Sequence, residues 1–288
     1  MTKNKFNLGF GGASLTSMKS YTDVKDLLNT AYQEGIRHFD TAVLYGKGYS
    51  ELIYGHFLKD KRKDVTITTK FGLGNPSVNQ LIPIQVLLPL NYYFSTLKKA
   101  RTKTTLPLTD EPHQPVAYRQ IDKALVEQSF KNSLKRLKTE YIDYYLLHEG
   151  LPHFLTDEAL SFLLNLKKQG RVGAIGIGTN VHDIKTLKSE AFKYWDVLQY
   201  EGNDAQMTLK IMQQFPDKTH FHHSCLKNRD MLRLENIEKE NKVGYTLAQC
   251  AAQNPNGKIL FSTRHKDYLQ NNINSYKHYY KNPTFQNS

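Results

Sequence analysis

Short apolar runs alternate along the chain with stretches in which apolar residues recur at helical spacing. Phe6 to Phe10 predicts a first strand, and Val24, Leu27, Leu28 and Ala31 predict a helix capped at Thr22-Asp23 and stopped by Gly35. A strand at Ile36 to Phe39, a helix near Glu51 to Lys59 and a strand from Val65 to Lys70 follow. Ile121 to Leu137 repeats the helical pattern and feeds a nearly continuous apolar strand, Ile142 to Leu147. Beyond an Asp157 cap come a helix over Leu160 to Lys168, a strand at Gly173 to Ile177 and a helix at Asp183 to Lys188. Strands at Val197 to Tyr200 and Thr219 to His222 flank a short helix. A long helical pattern, Arg229 to Gln253, stops at Asn254-Pro255-Asn256-Gly257 before an eighth strand, Lys258 to Ser262. Eight strand-then-helix units predict an α/β fold with a parallel sheet closed into a (β/α)8 barrel of the TIM type.

The spacing is interrupted once. Between Lys70 and His148 the chain is far longer than one helical crossover needs, and the excess lies at 72–118. It holds the apolar run Leu81 to Leu90, then Tyr92-Tyr93-Phe94, a basic cluster, and prolines 107, 112 and 115. Leaving the third strand, it is expected on the catalytic face as a lid or substrate wall, with an oligomer contact as the alternative. The expected layout is a barrel over 1–273 carrying this insertion, followed by a polar tail at 274–288.

At 288 residues, 39% hydrophobic and 23% charged, the chain has an ordinary globular composition with room for one large barrel. No apolar run is long enough to span a bilayer, and no secretory signal is visible, so a cytoplasmic protein without a membrane partner is expected. Cys225 and Cys250 form no paired-cysteine motif and are expected as free thiols. The formal charge of +12 collects in clusters such as Lys59 to Lys63 and Lys98 to Lys103. Basic patches attract polyanions, but no nucleic-acid-binding motif accompanies these. A solvated basic surface, part of it drawing in an anionic dinucleotide, is the expectation.

Reactive groups fall where strands stop. Asp40 ends the second strand, Tyr45 follows it, Lys70 closes the third and His148 the fourth. In a barrel these strand ends share the face where active sites are built. Lys70 can lower the pKa of the Tyr45 phenol, and Asp40 can hold Lys70 charged and in place, which suits proton transfer. His148 suits a hydrogen bond to a substrate oxygen. Each has a plain structural alternative: Tyr45 is one of 18 tyrosines, Asp40 could cap a helix, Lys70 could be a surface lysine and His148 a core histidine. Asp40, His148 and Glu149, and His220 with His222 on one strand face, are conceivable metal ligands, but neither set has a complete ligand spacing.

Taken together, Asp40-Thr41-Ala42-x-x-Tyr45-Gly46, Lys70 and Tyr144-Tyr145-Leu146-Leu147-His148 resemble the aldo-keto reductases, in the manner of a long-insert bacterial-type member. Gly9-Phe10-Gly11-Gly12, the block Gly170 to Asn180, Gln199, and Leu260 to Asn272 extend the resemblance over nearly the whole chain. It implies a catalytic tetrad of Asp40, Tyr45, Lys70 and His148, with Tyr45 as general acid or base while hydride moves between a nicotinamide cofactor and a small carbonyl or sugar-like substrate. It further implies cofactor contacts from Gly12, Thr41, Thr179, Asn180, Gln199, His223, Ser224, Leu226, Ser262, Thr263, Arg264 and Asn272, with no metal.

The chain departs from the family pattern in two places. Ser262 and Tyr268 stand where NADPH-preferring relatives carry basic residues, so Arg264, His265 and Lys266 are candidates to meet a phosphate, and the choice between NADP(H) and NAD(H) stays open. The nicotinamide-stacking aromatic is replaced by the stretch His222 to Leu226, leaving His223 for that role. Two other readings remain: an NAD-dependent sugar or alcohol dehydrogenase running oxidatively, and a low-turnover nucleotide-binding regulatory protein. The chain is expected as a monomer or homodimer.

Overall fold

In a computed structural model, residues 6–73, 82–101, 120–186, 188–227 and 236–281 are described. Eight parallel strands close into a barrel in chain order: β1 (Leu8–Gly11), β2 (His38–Asp40), β3 (Thr66–Phe71), β4 (Ile142–His148), β5 (Val172–Gly178), β6 (Val197–Glu201), β7 (Thr219–His223) and β8 (Lys258–Phe261). Closure is made by β1, which pairs with β2 on one side and β8 on the other. The predicted (β/α)8 barrel is therefore the fold observed.

Helices α1 (Tyr21–Gln33), α2 (Tyr49–Leu58), α3 (Ile84–Arg101), α4 (Lys123–Leu137), α5 (Asp157–Lys168), α6 (Val181–Thr186), α7 (Ala205–Gln214), α8 (Lys242–Gln253) and α9 (Lys266–Tyr280) complete the described elements. In α1 the buried positions Val24, Leu27, Leu28 and Ala31 are those the spacing predicts. The caps, however, sit one or two residues earlier than expected. Ser20, not Thr22-Asp23, caps α1 by accepting from the Asp23 amide at 3.1 Å, and Thr156, not Asp157, caps α5 by accepting from the Ala159 amide at 3.2 Å. A hydroxyl placed just before the first turn satisfies an otherwise orphaned donor, leaving the acids to complement the helix dipole.

Between barrel and helices lies the larger core, which includes Phe10, Phe39, Tyr145, Leu147, Ile175 and Leu198. Each such side chain, fully buried, contributes about 1.5–3 kcal/mol. The alternate strand positions Leu146, Val197 and Phe221 form a smaller cluster with Tyr144 and Ala174. Above it the strand ends turn polar.

Three expectations change. The helix predicted from Arg229 begins only at Lys242 after a helical turn at Lys239–Asn241, and 228–235 lie outside the described residues. The boundary expected between 273 and 274 falls inside α9, where Ile273 and Tyr276 are buried, so the polar appearance of Asn274 and Ser275 masks a helix with one apolar face. Within the insertion, α3 buries Ile84 and Leu88 and rests against the turn Leu15–Ser17 and α1. Tyr49 donates to the Ile82 carbonyl at 3.1 Å and helps hold its start. The remainder of the insertion, 74–81 and 102–118, lies outside the described residues. No helix among the described residues is long and apolar enough to cross a membrane.

Candidate active site

Strand register assembles the site. His148 of β4 lies beside Gly178 of β5, and Gly178 beside Gln199 of β6, forming one row at the mouth of the barrel. Asp40 pairs in register with Thr68, two residues before Lys70 and so on the same face of β3. Tyr45 opens a turn, Tyr45–Gly48, in which Gly46 sits at φ 57. A side chain at Gly46 would drive into Thr16, its Cβ reaching 2.3 Å from the Thr16 methyl, so only glycine lets this turn close.

Lys70 is the centre of the network. Its Nζ donates to both Asp40 carboxylate oxygens at 2.8 and 2.9 Å and to the Thr41 carbonyl at 2.9 Å, and it stands 5.2 Å from the centre of the Tyr45 ring. The side chains of Lys70 and Asp40 are 3% and 5% exposed. Gln199 Nε2 donates to Asp40 Oδ2 at 3.1 Å, closing the far side of the carboxylate. Burial alone would discharge the ammonium, yet Asp40 and Tyr45 outweigh it and hold the Lys70 pKa above its usual value.

The phenol behaves differently from the expectation that Lys70 lowers its pKa. The Lys70 charge is the strongest single influence and does lower it, but burial, Asp40 and Glu149 together raise the Tyr45 pKa above its ordinary value. His148 meets Tyr45 edge to face, with ring centroids 6.0 Å apart. Burial, with Lys70 and His223 adding to it, pushes the His148 pKa down to about 3, so the imidazole is neutral near pH 7. His223 is likewise lowered, chiefly by burial. The four predicted catalytic side chains thus border one cavity of about 320 Å³, which is also lined by Glu149, Gln199, His223, Ser224, Leu226 and Ser262.

The other predicted binding residues lie elsewhere. Gly12 is backed by Tyr54 and Ser50, which a β-carbon there would strike. Thr41 donates its hydroxyl to Ser50 at 2.8 Å and offers only its carbonyl to Lys70. Thr179 and Asn180 both donate to Asp183 Oδ2, at 3.3 and 2.6 Å, and the Asn180 carbonyl oxygen accepts from the Asp183 amide at 2.9 Å. Asn180 is thereby engaged at both ends of its amide as the start of α6. Thr263 accepts from the His265 amide at 3.2 Å, and Asn272 is half-buried on α9. Arg264, His265 and Lys266 border a second cleft of about 560 Å³ together with Lys19, Tyr92 and Asp267. Among the described residues of the insertion, Tyr92 and Thr96 line this second cleft and none lines the catalytic cavity.

Sequence reasoning missed two features of the cavity. Gln199, expected to hold a cofactor, also hydrogen-bonds Asp40, and Glu149, by sequence a candidate metal ligand only, lines the cavity. No three His, Cys, Asp or Glu side chains among the described residues gather into a metal-binding group. His220 and His222 are instead joined through the Tyr200 hydroxyl, at 2.9 and 3.1 Å.

Comparison with known proteins agrees with this geometry. The chain is 27% identical over 172 residues to the uncharacterized oxidoreductase YqkF of Bacillus subtilis, an overlap covering 60% of this chain and 44% of that protein. It is 29% identical over 189 residues to a D-threo-aldose 1-dehydrogenase of a Pseudomonas species, covering 62% of this chain and 51% of that one. The match spans about half the length of these curated relatives or less. Among solved structures, a holo-form aldo-keto reductase of Bacillus halodurans superposes with a TM-score of 0.66 at 20% identity, covering 98% of this chain and 90% of that one. An aldo-keto reductase of Klebsiella pneumoniae in complex with NADPH gives 0.60 at 14% identity, covering 94% and 85%. At such identities the structural likeness concerns the fold alone. The family profile described as Aldo/keto reductase family matches residues 7–282, and on that near-complete match the chain belongs to the aldo/keto reductase family.

Proposed function

We propose that this chain is an oxidoreductase that reduces the carbonyl group of a small or medium aldehyde, ketone or sugar-like compound, with Tyr45 as the proton donor. The observation carrying this reading is the convergence of Tyr45, His148 and the buried Lys70–Asp40 pair on one cavity at the barrel mouth. A nicotinamide cofactor supplies the hydride when bound. The residues present fit such a group at one point in particular: Gln199 Oε1 is buried and has no hydrogen-bond partner among the described residues, while its Nε2 is committed to Asp40. An orphaned amide acceptor lining the cavity suits the N–H of a carboxamide. Ser224 and Leu226 beside it, and Ser262, Thr263 and Asn272 at the end of the barrel, are the contacts proposed for the rest of the nucleotide, with His223 as the stacking ring.

The chain's own residues divide the proton work. Neutral His148 donates a hydrogen bond to the substrate oxygen and orients it, and Tyr45 passes its proton to that oxygen as negative charge develops there. Lys70 stays charged and steadies the tyrosinate that remains. Arg264 and Lys266, on the second cleft, are proposed to meet a phosphate of the nucleotide. The oxidative direction is the second reading, favoured by the likeness to a protein named D-threo-aldose 1-dehydrogenase. The raised pKa of Tyr45 speaks for the reductive one, since the phenol is then held as an acid. The protein is proposed to act in the cytoplasm.

The test joins nucleotide binding to turnover. Fluorescence titrations with NADPH and with NADH should show saturable binding of at least one, and Tyr45→Phe should abolish turnover of simple aldehydes while leaving that binding intact. Turnover unchanged in the variant removes Tyr45 as the acid. Binding without turnover in the parent protein favours a regulatory nucleotide binder.

A further inference from the structure

The ring of His223 stands at the barrel mouth, and its direction follows from the strand that carries it. Phe221, two residues earlier on β7, packs in the inner cluster with Leu146 and Val197. His220 and His222 point the other way, joined through the Tyr200 hydroxyl at 2.9 and 3.1 Å. Alternation therefore turns His223 inward, into the layer above Phe221. Its nearness to the reacting groups shows in their mutual influence: His223 helps to lower the His148 pKa, and the Lys70 and Asp40 charges act on His223 in turn. Ser224, in the left-handed region at φ 54, places its hydroxyl 3.0 Å from His223 Nδ1 and fixes the imidazole in the cavity wall. Gln199 pairs in register with Phe221, so it lies one layer, about 7 Å, below His223. A nicotinamide whose carboxamide meets Gln199 Oε1 thus has its ring within reach of this imidazole.

We propose that His223 is a specificity-determining residue that distinguishes the two redox states of the nucleotide. A neutral imidazole admits both, whereas an imidazolium repels the cationic oxidised nicotinamide and tolerates the uncharged reduced ring. This rests on the nicotinamide-dependent reading above. Burial chiefly holds His223 below the usual histidine range, so near pH 7 the ring is neutral and acid charges it. The titratable groups around it are Glu201, its register partner on β6, Asp40 of β2, Lys70 of β3, His148 of β4, and Tyr45 and Glu149 just beyond strand ends. β8 and its exit contribute the uncharged Leu260 and Ser262. Glu201, which accepts from the Val181 amide at 2.8 Å, and Asp40 favour the imidazolium, and Lys70 opposes it. His148, with its pKa lowered to about 3, and Tyr45, with its pKa raised, take no part in proton exchange near neutrality. In the reductive direction, acid then hastens departure of the oxidised product nucleotide; in the oxidative direction it weakens capture of the nucleotide substrate.

The test titrates the full chain with NADP+ and NADPH, and with NAD+ and NADH, between about pH 8 and pH 5. In the parent protein the ratio of oxidised to reduced Kd should rise about tenfold on acidification. That lies between the effects of two unit charges about 7 Å apart in bulk water and at an effective dielectric of 20. The phosphates are common to both redox states and cancel in the ratio. His223→Phe keeps a ring and His223→Gln a polar group; in both, the ratio should stay constant with pH, and either variant suffices if the other folds poorly. Calorimetry in two buffers of different ionisation heat reads the same event directly. Near pH 6 the oxidised nucleotide should expel more protons than the reduced one from the parent, and the difference should vanish in the variants. Failure of every nucleotide to bind would sink the nicotinamide-dependent reading and the role of His223 with it. Saturable binding with a flat ratio in the parent, or the same rise in parent and variants, would overturn the role of His223 alone.

Discussion

Replacing Lys70 by methionine tests the centre of the site, because it removes a charge that the surrounding protein has been built to hold. In the parent chain the Asp40 carboxylate receives Lys70 on both oxygens, at 2.8 and 2.9 Å, in surroundings where the two side chains are 3% and 5% exposed. After the substitution the carboxylate keeps only the Gln199 amide at 3.1 Å, and the Thr41 carbonyl loses its side-chain donor. Methionine has nearly the same length, so the loss is electrostatic rather than a cavity. Breaking a buried ion pair on one side costs about 3–5 kcal/mol, because an uncompensated charge is left behind. At the size of this chain that corresponds to a fall in Tm of about 10 °C. Denaturant unfolding followed through Trp195, which is buried and the single tryptophan, reads the change directly. The double variant Asp40→Asn with Lys70→Met, which leaves no lone charge, should recover much of the stability but none of the turnover. A single variant within about 0.5 kcal/mol of the parent would refute the claim that Lys70 holds the Asp40 charge.

Two further predictions concern pH and the barrel wall. With a native pKa of about 3 against 6.5 unfolded, His148 takes up its proton only in the unfolded chain over that range. Stability should therefore fall as pH drops below 6.5, by up to about 1.4 kcal/mol per pH unit from this group. His148→Asn should flatten the slope in urea titrations at pH 4 to 7; an unchanged slope would place the proton uptake elsewhere. Elsewhere in the wall, Glu51 is fully buried, accepting from Arg136 Nε at 2.6 Å and from the Thr69 hydroxyl at 2.6 Å. Glu51→Ala should cost about 3–5 kcal/mol in chemical unfolding while leaving nucleotide affinity in place, since the pair ties α2 to α4 behind β3.

What the sequence revealed and what it hid follow from the range of the interactions. Strand ends were legible because Asp40, Lys70 and His148 each terminate an apolar run, and a closed barrel then brings those ends to one rim. The β-carbon directions of a strand need only local alternation. Asn180 illustrates the opposite case: a strand-end amide looks available for a ligand, yet Asp183, three residues later, occupies both its ends as α6 begins. The Glu51–Arg136 pair joins residues 85 positions apart, and nothing near either one announces its partner. Glu149 was equally hidden: it borders the cavity from a left-handed backbone position that period-two reasoning does not anticipate.

The direction of the Tyr45 pKa shift is the point where pairwise reasoning and the assembled site part company. A cation beside a phenol should lower its pKa, and Lys70 does so more strongly than any other group. The same packing that brings Lys70 close also buries the phenol and places Asp40 and Glu149 near it, and the sum turns upward. Lys70 has three donors, and the two Asp40 oxygens and the Thr41 carbonyl account for them. The ammonium therefore acts on Tyr45 through its charge, from 5.2 Å off the centre of the ring. Tyr45 lines the cavity together with His148. Lys70 therefore serves less to ionise the tyrosine at rest than to receive the charge once the proton has left. An acid that is protonated throughout the neutral range and stabilised only after transfer concentrates its electrostatic help in the transition state, where it raises the rate rather than the affinity.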